Sequence, residues 1–273
     1  MLTTVFVITG NDPQSQAEIV STNVKLLKTI DNKRHVSLVL GGITAKELEL
    51  DAKFFDRIYE TESSINKAHL VARALPKVEG DQVLYLDNSI FTLDALHSSY
   101  TRILKNGVHL ASNILDFRGN WITMEETWLA QQLMNKHNWP VVSSKIIWLN
   151  KDKEGLEFFN AFEQFSENWE EIAKDHSDGA FVNDSMDNIL SFTSMTHSHA
   201  YSKSSLLNFR SLDKRQMARD KSWIQSNWYD WLDVWWTTSD GFHLRIENFR
   251  QIGMIELTGD CLGKINQWLE QKK

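Results

Sequence analysis

The sequence contains few of the residues that mark disulfide-rich, linker-rich or membrane-spanning proteins. Its single cysteine, Cys261, excludes an intramolecular disulfide and any zinc module built from several cysteines. Only 3 prolines and 12 glycines among 273 residues leave little material for a flexible linker. No stretch approaches the roughly 18 uninterrupted apolar residues of a membrane-spanning helix, and the apolar start, residues 1–9, is too short for a signal sequence. These absences predict a cytoplasmic protein that does not cross a membrane.

Several common functional motifs are also missing. The chain has no P-loop, no Gly-x-Gly-x-x-Gly, no His-Glu-x-x-His and no Gly-x-Ser-x-Gly, so the usual phosphate-loop, dinucleotide, zinc-protease and serine-hydrolase interpretations lack their local signals. A net charge of −7 excludes a uniformly basic nucleic-acid coat, although not a local basic patch. What is present is 42% hydrophobic and 24% charged residues, a composition typical of a globular domain with a sizeable core.

The first half alternates between two hydrophobic patterns. Apolar, strand-like runs occupy residues 3–9, 34–40, 55–59 and 82–86, and helical signals lie between them. Those signals are Asp12-Pro13 as N-cap and first helical residue, a capping box from Thr44 to Glu47, and a helix over residues 64–75 that ends at Pro76. The alternation predicts an α/β fold with a mainly parallel, Rossmann-like sheet flanked by helices.

The second half has a mixed pattern. From about residue 107, strand patterns at residues 108–115 and 140–149 alternate with helical patterns at residues 123–136 and 158–172. In open α/β sheets, ligands bind outside the carboxyl ends of the strands. Residues 9–12, 41–42 and 87–89 are all predicted to lie at that edge.

The most informative of these segments is Asp87-Asn88-Ser89, directly after a buried strand. A carboxylate in this position can hold a divalent cation against a diphosphate, because hard cations take oxygen ligands and bridge phosphate oxygens. The alternative is an ordinary Asx turn that ends a strand. Both interpretations remain open on the residues alone.

The segment from Val83 to Phe91 resembles the Asp-x-Asp segment of GT-A-type nucleotide-sugar glycosyltransferases. Residues 64–73, 142–184 and 242–254 extend the resemblance to phage-type members over most of the chain. The resemblance implies one GT-A-like domain, with residues 1–106 as the nucleotide-sugar-binding half and residues 107–273 as a mixed α/β acceptor-binding half. It also implies an enzyme that moves a hexose or pentose from a UDP-sugar to an acceptor hydroxyl.

The resemblance further assigns site residues. Those implied to bind the nucleotide sugar are Thr9, Asn11, Lys67, Asp87 and Ser89. Those implied to hold Mn²⁺ or Mg²⁺ are Asp87, Ser89 and His243, although Ser89 replaces the second acidic residue of the family motif.

Catalysis is assigned to Asp87 and Asp184. Transfer with inversion needs a base to take the proton of the acceptor hydroxyl, and Asp184 is the candidate. Alternatively, Asn183-Asp184 only caps a helix that begins near Ser185. Which sugar is transferred, and whether its anomeric configuration inverts, is left open by the sequence.

A basic segment is followed by tryptophans near the C-terminal end. Residues 203–221 hold six basic and two acidic side chains, and six aromatic residues follow between 223 and 236. A basic patch beside aromatic side chains can hold a base outside the duplex, although a solvated helix and core tryptophans explain the same pattern. The residues predicted to contact the acceptor are Lys214, Arg215, Arg219, Trp223 and Trp236.

The resemblance to phage-type proteins, together with this basic segment, implies 5-hydroxymethylcytosine in phage DNA as the acceptor, as in phage arabinosyl- and glucosyltransferases, whose modification protects DNA from host restriction. A saccharide or protein acceptor is the first alternative. A nucleotidyltransferase and a non-catalytic nucleic-acid-binding protein are further ones. The oligomeric state is not predicted.

Overall fold

A computed structural model describes most of the chain but not all of it. The described residues are 1–10, 12–62, 66–92, 98–111, 114–116, 140, 142–176, 184–204, 209–211, 254–256, 265–266 and 269–270. Within these ranges, no helix combines the length and the apolar character needed to cross a membrane.

The strands, in chain order, are β1 (Leu2–Ile8), β2 (His35–Gly41), β3 (Arg57–Thr61), β4 (Gln82–Leu86), β5 (Ile90–Thr92), β6 (Val108–Ala111), β7 (Ile114–Asp116), β8 (Ser143–Asn150), β9 (Tyr201–Ser204), β10 (Phe209–Ser211) and β11 (Met254–Glu256). The helices are α1 (Pro13–Ile30), α2 (Lys67–Ala74), α3 (Ser98–Ile103), α4 (Lys153–Glu167), α5 (Trp169–His176) and α6 (Met186–Thr196).

Seven of these strands form one sheet in the order β3-β2-β1-β4-β8-β6-β9. The first four are mutually parallel, β8 runs antiparallel to both β4 and β6, and β9 pairs in parallel with β6. The apolar runs are buried on both sides because a core cluster covers each face of the sheet. The predicted α/β class, a mainly parallel sheet flanked by helices with a mixed second half, is confirmed.

A second sheet joins four three-residue strands in the order β5-β11-β10-β7. Its strands come from distant parts of the sequence, and β5 follows directly on the turn after β4. The division into halves at residue 106 stays a prediction, although β6, β8 and β9 beyond it complete the sheet begun before it.

Local sequence signals explain the starts of the two helices nearest the edge. Helix α1 begins with Asp12 as N-cap and Pro13 as its first residue, as predicted. Helix α2 begins later than expected, because Asn66 is its N-cap and accepts a hydrogen bond from the backbone N–H of His69 at 2.8 Å. Its α-helical part ends at Ala74, and a 3₁₀ turn from Leu75 to Lys77 contains Pro76.

Two predicted segments in the first half differ from the structure. Strand β3 covers residues 57–61 rather than 55–59. The Asp56 carboxylate accepts from the Val36 backbone N–H, and the Asp56 backbone N–H donates to the Val36 carbonyl, so these two bonds fix where pairing with β2 begins. The Thr44 and Glu47 capping box makes its reciprocal hydrogen bonds, but it closes a turn rather than opening a helix.

Two further predictions are corrected in the second half. The pattern over residues 108–115 splits into β6 and β7, which belong to different sheets. The helix predicted over residues 158–172 is two helices, because the Asn168 side chain donates to the Gln164 carbonyl at 2.9 Å and ends α4. The helix predicted over residues 123–136 lies outside the described residues.

Candidate functional site

Strands β1 and β4 bring the predicted donor-binding residues to one edge. The two strands are parallel neighbours, with Val5 opposite Tyr85, so Thr9 and Asp87 both emerge at the carboxyl end of the sheet. The first turn of α2 adds Lys67 beside Asp87. Asn11, predicted in the same group, lies outside the described residues.

The centre of this edge is an ion pair between Lys67 and Asp87. Lys67 Nζ lies 2.6 Å from Asp87 Oδ2, and the two side chains are 32% and 23% exposed. Ser89 donates to Asp87 Oδ1 twice, from its backbone N–H at 3.1 Å and from its hydroxyl at 2.8 Å. The backbone N–H of Asp87 in turn donates to the carbonyl of Lys145 in β8 at 2.8 Å. Both carboxylate oxygens and the backbone of Asp87 are therefore held in place.

The electrostatics keep both partners charged. Burial disfavours the Asp87 carboxylate, but the charge and hydrogen bond of Lys67 outweigh it and lower the pKa of Asp87 to about 2. Burial also disfavours the Lys67 ammonium, yet Tyr85 and Asp87 beside it raise the pKa of Lys67 above its ordinary value. A fixed ammonium therefore lies at the carboxyl edge throughout the neutral pH range.

This pairing makes a prediction for acid stability. The folded pKa of Asp87 lies below the value of about 3.9 for an unfolded chain, so its contribution is complete above about pH 5 and is lost as the pH falls through about 2. We expect the free energy of unfolding, measured with urea at several pH values, to fall by roughly 2 kcal/mol more across this range in the wild type than in Asp87→Asn.

Asp81→Asn is the matched control for this experiment. Asp81 pairs with the Met1 amino group at 2.7 Å, but its side chain is 89% exposed. Removing this carboxylate should therefore change the pH dependence of the free energy of unfolding less than Asp87→Asn does. If the free energy of unfolding fell equally with pH in the wild type and in Asp87→Asn, the lowered pKa assigned to Asp87 would be wrong.

Two amide side chains that the sequence analysis did not assign hold the edge together. Asn88 Nδ2 donates to the Val7 carbonyl at 2.9 Å and to Gln16 Oε1 at 3.2 Å. Gln16 also bonds the backbone N–H and carbonyl of Thr9, each at 3.2 Å. The end of β1 is thereby tied to the end of β4. The sequence could have indicated Gln16, because it lies four residues before Val20 on the same face of α1, and the Val20 side chain is buried.

The structure separates two neighbouring carboxylates near the start of α6. The N-cap of α6 is Ser185, whose hydroxyl accepts from the Asn188 backbone N–H, so the alternative that Asp184 caps the helix is wrong. Asp184 is exposed one residue earlier, and its role as base stays a prediction. Asp187, which the sequence analysis missed, is half-buried and accepts from the backbone N–H of Ser144 at 2.7 Å. Because Ser144 adjoins Lys145, Asp187 approaches the site from the β8 side.

The remaining predicted residues lie outside the described part of the chain. They are His243, predicted for the metal, and the acceptor residues Lys214, Arg215, Arg219, Trp223 and Trp236. Their assignments stay predictions.

The described residues do not by themselves fit a tightly held Mn²⁺ or Mg²⁺. These ions prefer several oxygen ligands, and the ends of β1 and β4 offer one carboxylate, Asp87, whose Oδ2 already pairs with Lys67. The hydroxyl of Ser89 directs its proton to Asp87 Oδ1. A cation would have to displace the Lys67 ammonium, and a shell completed by His243 stays a prediction.

Comparisons with known proteins identify the architecture. No family model and no curated protein sequence matches the chain. A solved structure of the galactosyltransferase LgtC, in complex with donor and acceptor sugar analogs, matches at 13% identity and a TM-score of 0.57 over 98% of this chain and 95% of that one. Mouse xyloside xylosyltransferase 1 matches at 10% identity and a TM-score of 0.51 over 95% of this chain and 97% of that one.

A third similar structure is the glycosyltransferase GlyE of Streptococcus pneumoniae, at 11% identity and a TM-score of 0.51. This chain is covered completely but spans 65% of GlyE. At such identities the likeness establishes the fold alone, and that fold is the GT-A fold of these glycosyltransferases.

Proposed function

We propose that the protein is a glycosyltransferase that moves a sugar from a UDP-sugar to a hydroxyl group of an acceptor. The observation that carries the proposal is the Lys67–Asp87 pair, held at the carboxyl ends of β1 and β4 in a GT-A fold. In open α/β sheets this edge is where ligands bind, and a diphosphate needs positive charge there.

Lys67 is assigned to the donor diphosphate. An ammonium has three N–H donors; Asp87 takes one of them and Tyr85 lies beside another, so at least one remains for a phosphate oxygen. Lys67 is also the first residue of α2, where unpaired backbone N–H groups and the helix dipole favour an anion. Negative charge develops on the diphosphate as the bond to the sugar breaks, so a prepositioned ammonium lowers the barrier to transfer.

Asp87 and its neighbours are assigned to positioning. The carboxylate holds the Lys67 ammonium at 2.6 Å and is itself held by Ser89. Thr9 lies at the adjacent strand end, where Gln16 bonds its backbone N–H and carbonyl and so fixes its position for the donor. A cation held by Asp87 would neutralise the same diphosphate charge as Lys67.

A saccharide hydroxyl is the acceptor with the better support. LgtC, whose structure shares this fold, was crystallised with donor and acceptor sugar analogs. The DNA acceptor, 5-hydroxymethylcytosine, rests on residues 203–236, most of which lie outside the described ranges, so it stays a prediction. Asp184 and Asp187 are the two carboxylates available near the start of α6 to take the acceptor proton.

The test is a donor and acceptor screen. The protein is incubated with a panel of UDP-sugars, with Mn²⁺ or with EDTA, and with oligosaccharides, hydroxymethylated DNA or unmodified DNA. We expect UDP release with at least one donor and a mass gain of one sugar on a saccharide. A mass gain on hydroxymethylated DNA alone would replace the saccharide by DNA as acceptor. No UDP release and no mass gain in any combination would overturn the proposed function.

A further inference from the structure

A second group of ligating side chains lies between α2 and α4, away from the Lys67–Asp87 pair. His69 on α2 faces Glu163 and Glu167 on α4, and one ligand atom of each lies within 4.8 Å of the others. His69 is two residues after Lys67, and residues at this spacing point to different sides of a helix. The group is thus a separate feature of the fold.

The hydrogen bonds of His69 fix which ring nitrogen is available. The ring is buried, with 5% of the residue exposed, and its Nδ1 lies 3.3 Å from the Ser166 hydroxyl. That hydroxyl donates its only proton to the backbone carbonyl of Glu163 at 2.7 Å, so it can only accept a hydrogen bond from His69. Nδ1 therefore carries a proton. In the neutral imidazole this leaves the lone pair of Nε2 directed at Glu167 Oε1, 3.6 Å away.

The two glutamates also need a positive partner. Glu163 and Glu167 are four residues apart on one face of α4, where like charges repel each other. Glu167 is 49% exposed, so the group is open to solvent on one side. A lone pair and two carboxylates that converge on one point, with the other ring nitrogen bonded to the Ser166 hydroxyl, are the arrangement of a metal-binding histidine.

We propose that His69, Glu163 and Glu167 form a binding site for a divalent transition metal ion, with Zn²⁺ as the ion of best fit. Zn²⁺ takes imidazole nitrogen and carboxylate oxygen at about 2.0 to 2.2 Å in a tetrahedral arrangement, and a water on the exposed side completes the shell. The ligand atoms lie within 4.8 Å of one another, so the two glutamate side chains must move closer to His69 when the ion binds. The bound ion links α2 to α4 and thereby fixes the helix whose first residue is Lys67.

The test measures binding of Zn²⁺ itself to the full chain without an affinity tag, by competition with a chromophoric chelator. We expect about one equivalent bound by the wild type and none by the double variant Glu163→Gln, Glu167→Gln. Ser166→Ala, which removes the acceptor for Nδ1, should weaken binding by about tenfold to a hundredfold. At a hundredfold excess of Zn²⁺ over Kd, Tm of the wild type should rise by roughly 5 °C or more.

Two controls separate this site from other zinc ligands. Glu170→Gln with Glu171→Gln makes the same charge change in α5 and should leave binding intact. His197→Asn with His199→Asn removes two neighbouring imidazoles, of which His199 is exposed and lies 3.9 Å from Glu157, and should also leave binding intact. No binding by the wild type, or binding that survives loss of Glu163 and Glu167, would overturn the proposal.

Discussion

Replacing Lys67 with methionine is expected to lower kcat/KM for the UDP-sugar by about 10²- to 10³-fold. Methionine keeps the length and apolar stem of the side chain but removes the ammonium that is assigned to the donor diphosphate. The loss should appear in kcat as well as in KM, because the charge on the diphosphate grows as the sugar departs. Initial rates of UDP release, measured against donor concentration, give both parameters.

Lys28→Met is the matched control for this substitution. Lys28 pairs with Asp56 at 2.9 Å, and the two side chains are 24% and 36% exposed, so the pair resembles Lys67–Asp87 in geometry and burial. It lies in the last turn of α1, at the opposite edge of the sheet from Thr9. Lys28→Met should lower stability with little change in transfer. Equal activity losses in the two variants would assign both to the fold, and full activity of Lys67→Met would remove Lys67 from donor binding.

The large sheet could be predicted because its strands carry strong local signals. Strands β1, β2 and β4 are mainly apolar runs with β-branched residues that end at polar or glycine residues, and this pattern indicates a sheet covered on both faces. Parallel order then places residues 9 and 87 at one edge without further information. The second sheet could not be predicted, because strands of three residues show no measurable period and pair only through tertiary contacts.

The residues of the candidate site could be predicted only in part, and its bonds could not be predicted. The sequence predicts that Lys67 and Asp87 both bind the donor. It does not predict their ion pair, because the two residues are twenty positions apart and their distance depends on where α2 begins. The sequence Asn183-Asp184-Ser185 contains three residues that cap helices well, and the choice among them sets which carboxylate faces β8. With Ser185 as cap, Asp187 bonds Ser144 and Asp184 is exposed. Because Asn, Asp and Ser have nearly equal preference for the N-cap position, tertiary packing decides which of them begins the helix.

Asp87→Asn is the second substitution with a large expected effect, because Asp87 acts through Lys67. The amide keeps the shape of the carboxylate but cannot hold the ammonium by charge, so we expect kcat/KM for the donor to fall by roughly 10²-fold. If positioning is its whole role, the double variant Lys67→Met, Asp87→Asn should be no worse than Lys67→Met alone.

The same pair of variants tests the predicted Mn²⁺ or Mg²⁺ site. A cation held by Asp87 would act on the diphosphate independently of Lys67, so the two losses would multiply in the double variant, and EDTA would abolish wild-type activity. Positioning through Lys67 instead predicts coupled losses, wild-type transfer that persists in EDTA, and no recovery of Asp87→Asn with added Mn²⁺. The carboxylate has one oxygen on Ser89 and the other on Lys67, and this geometry favours the coupled result.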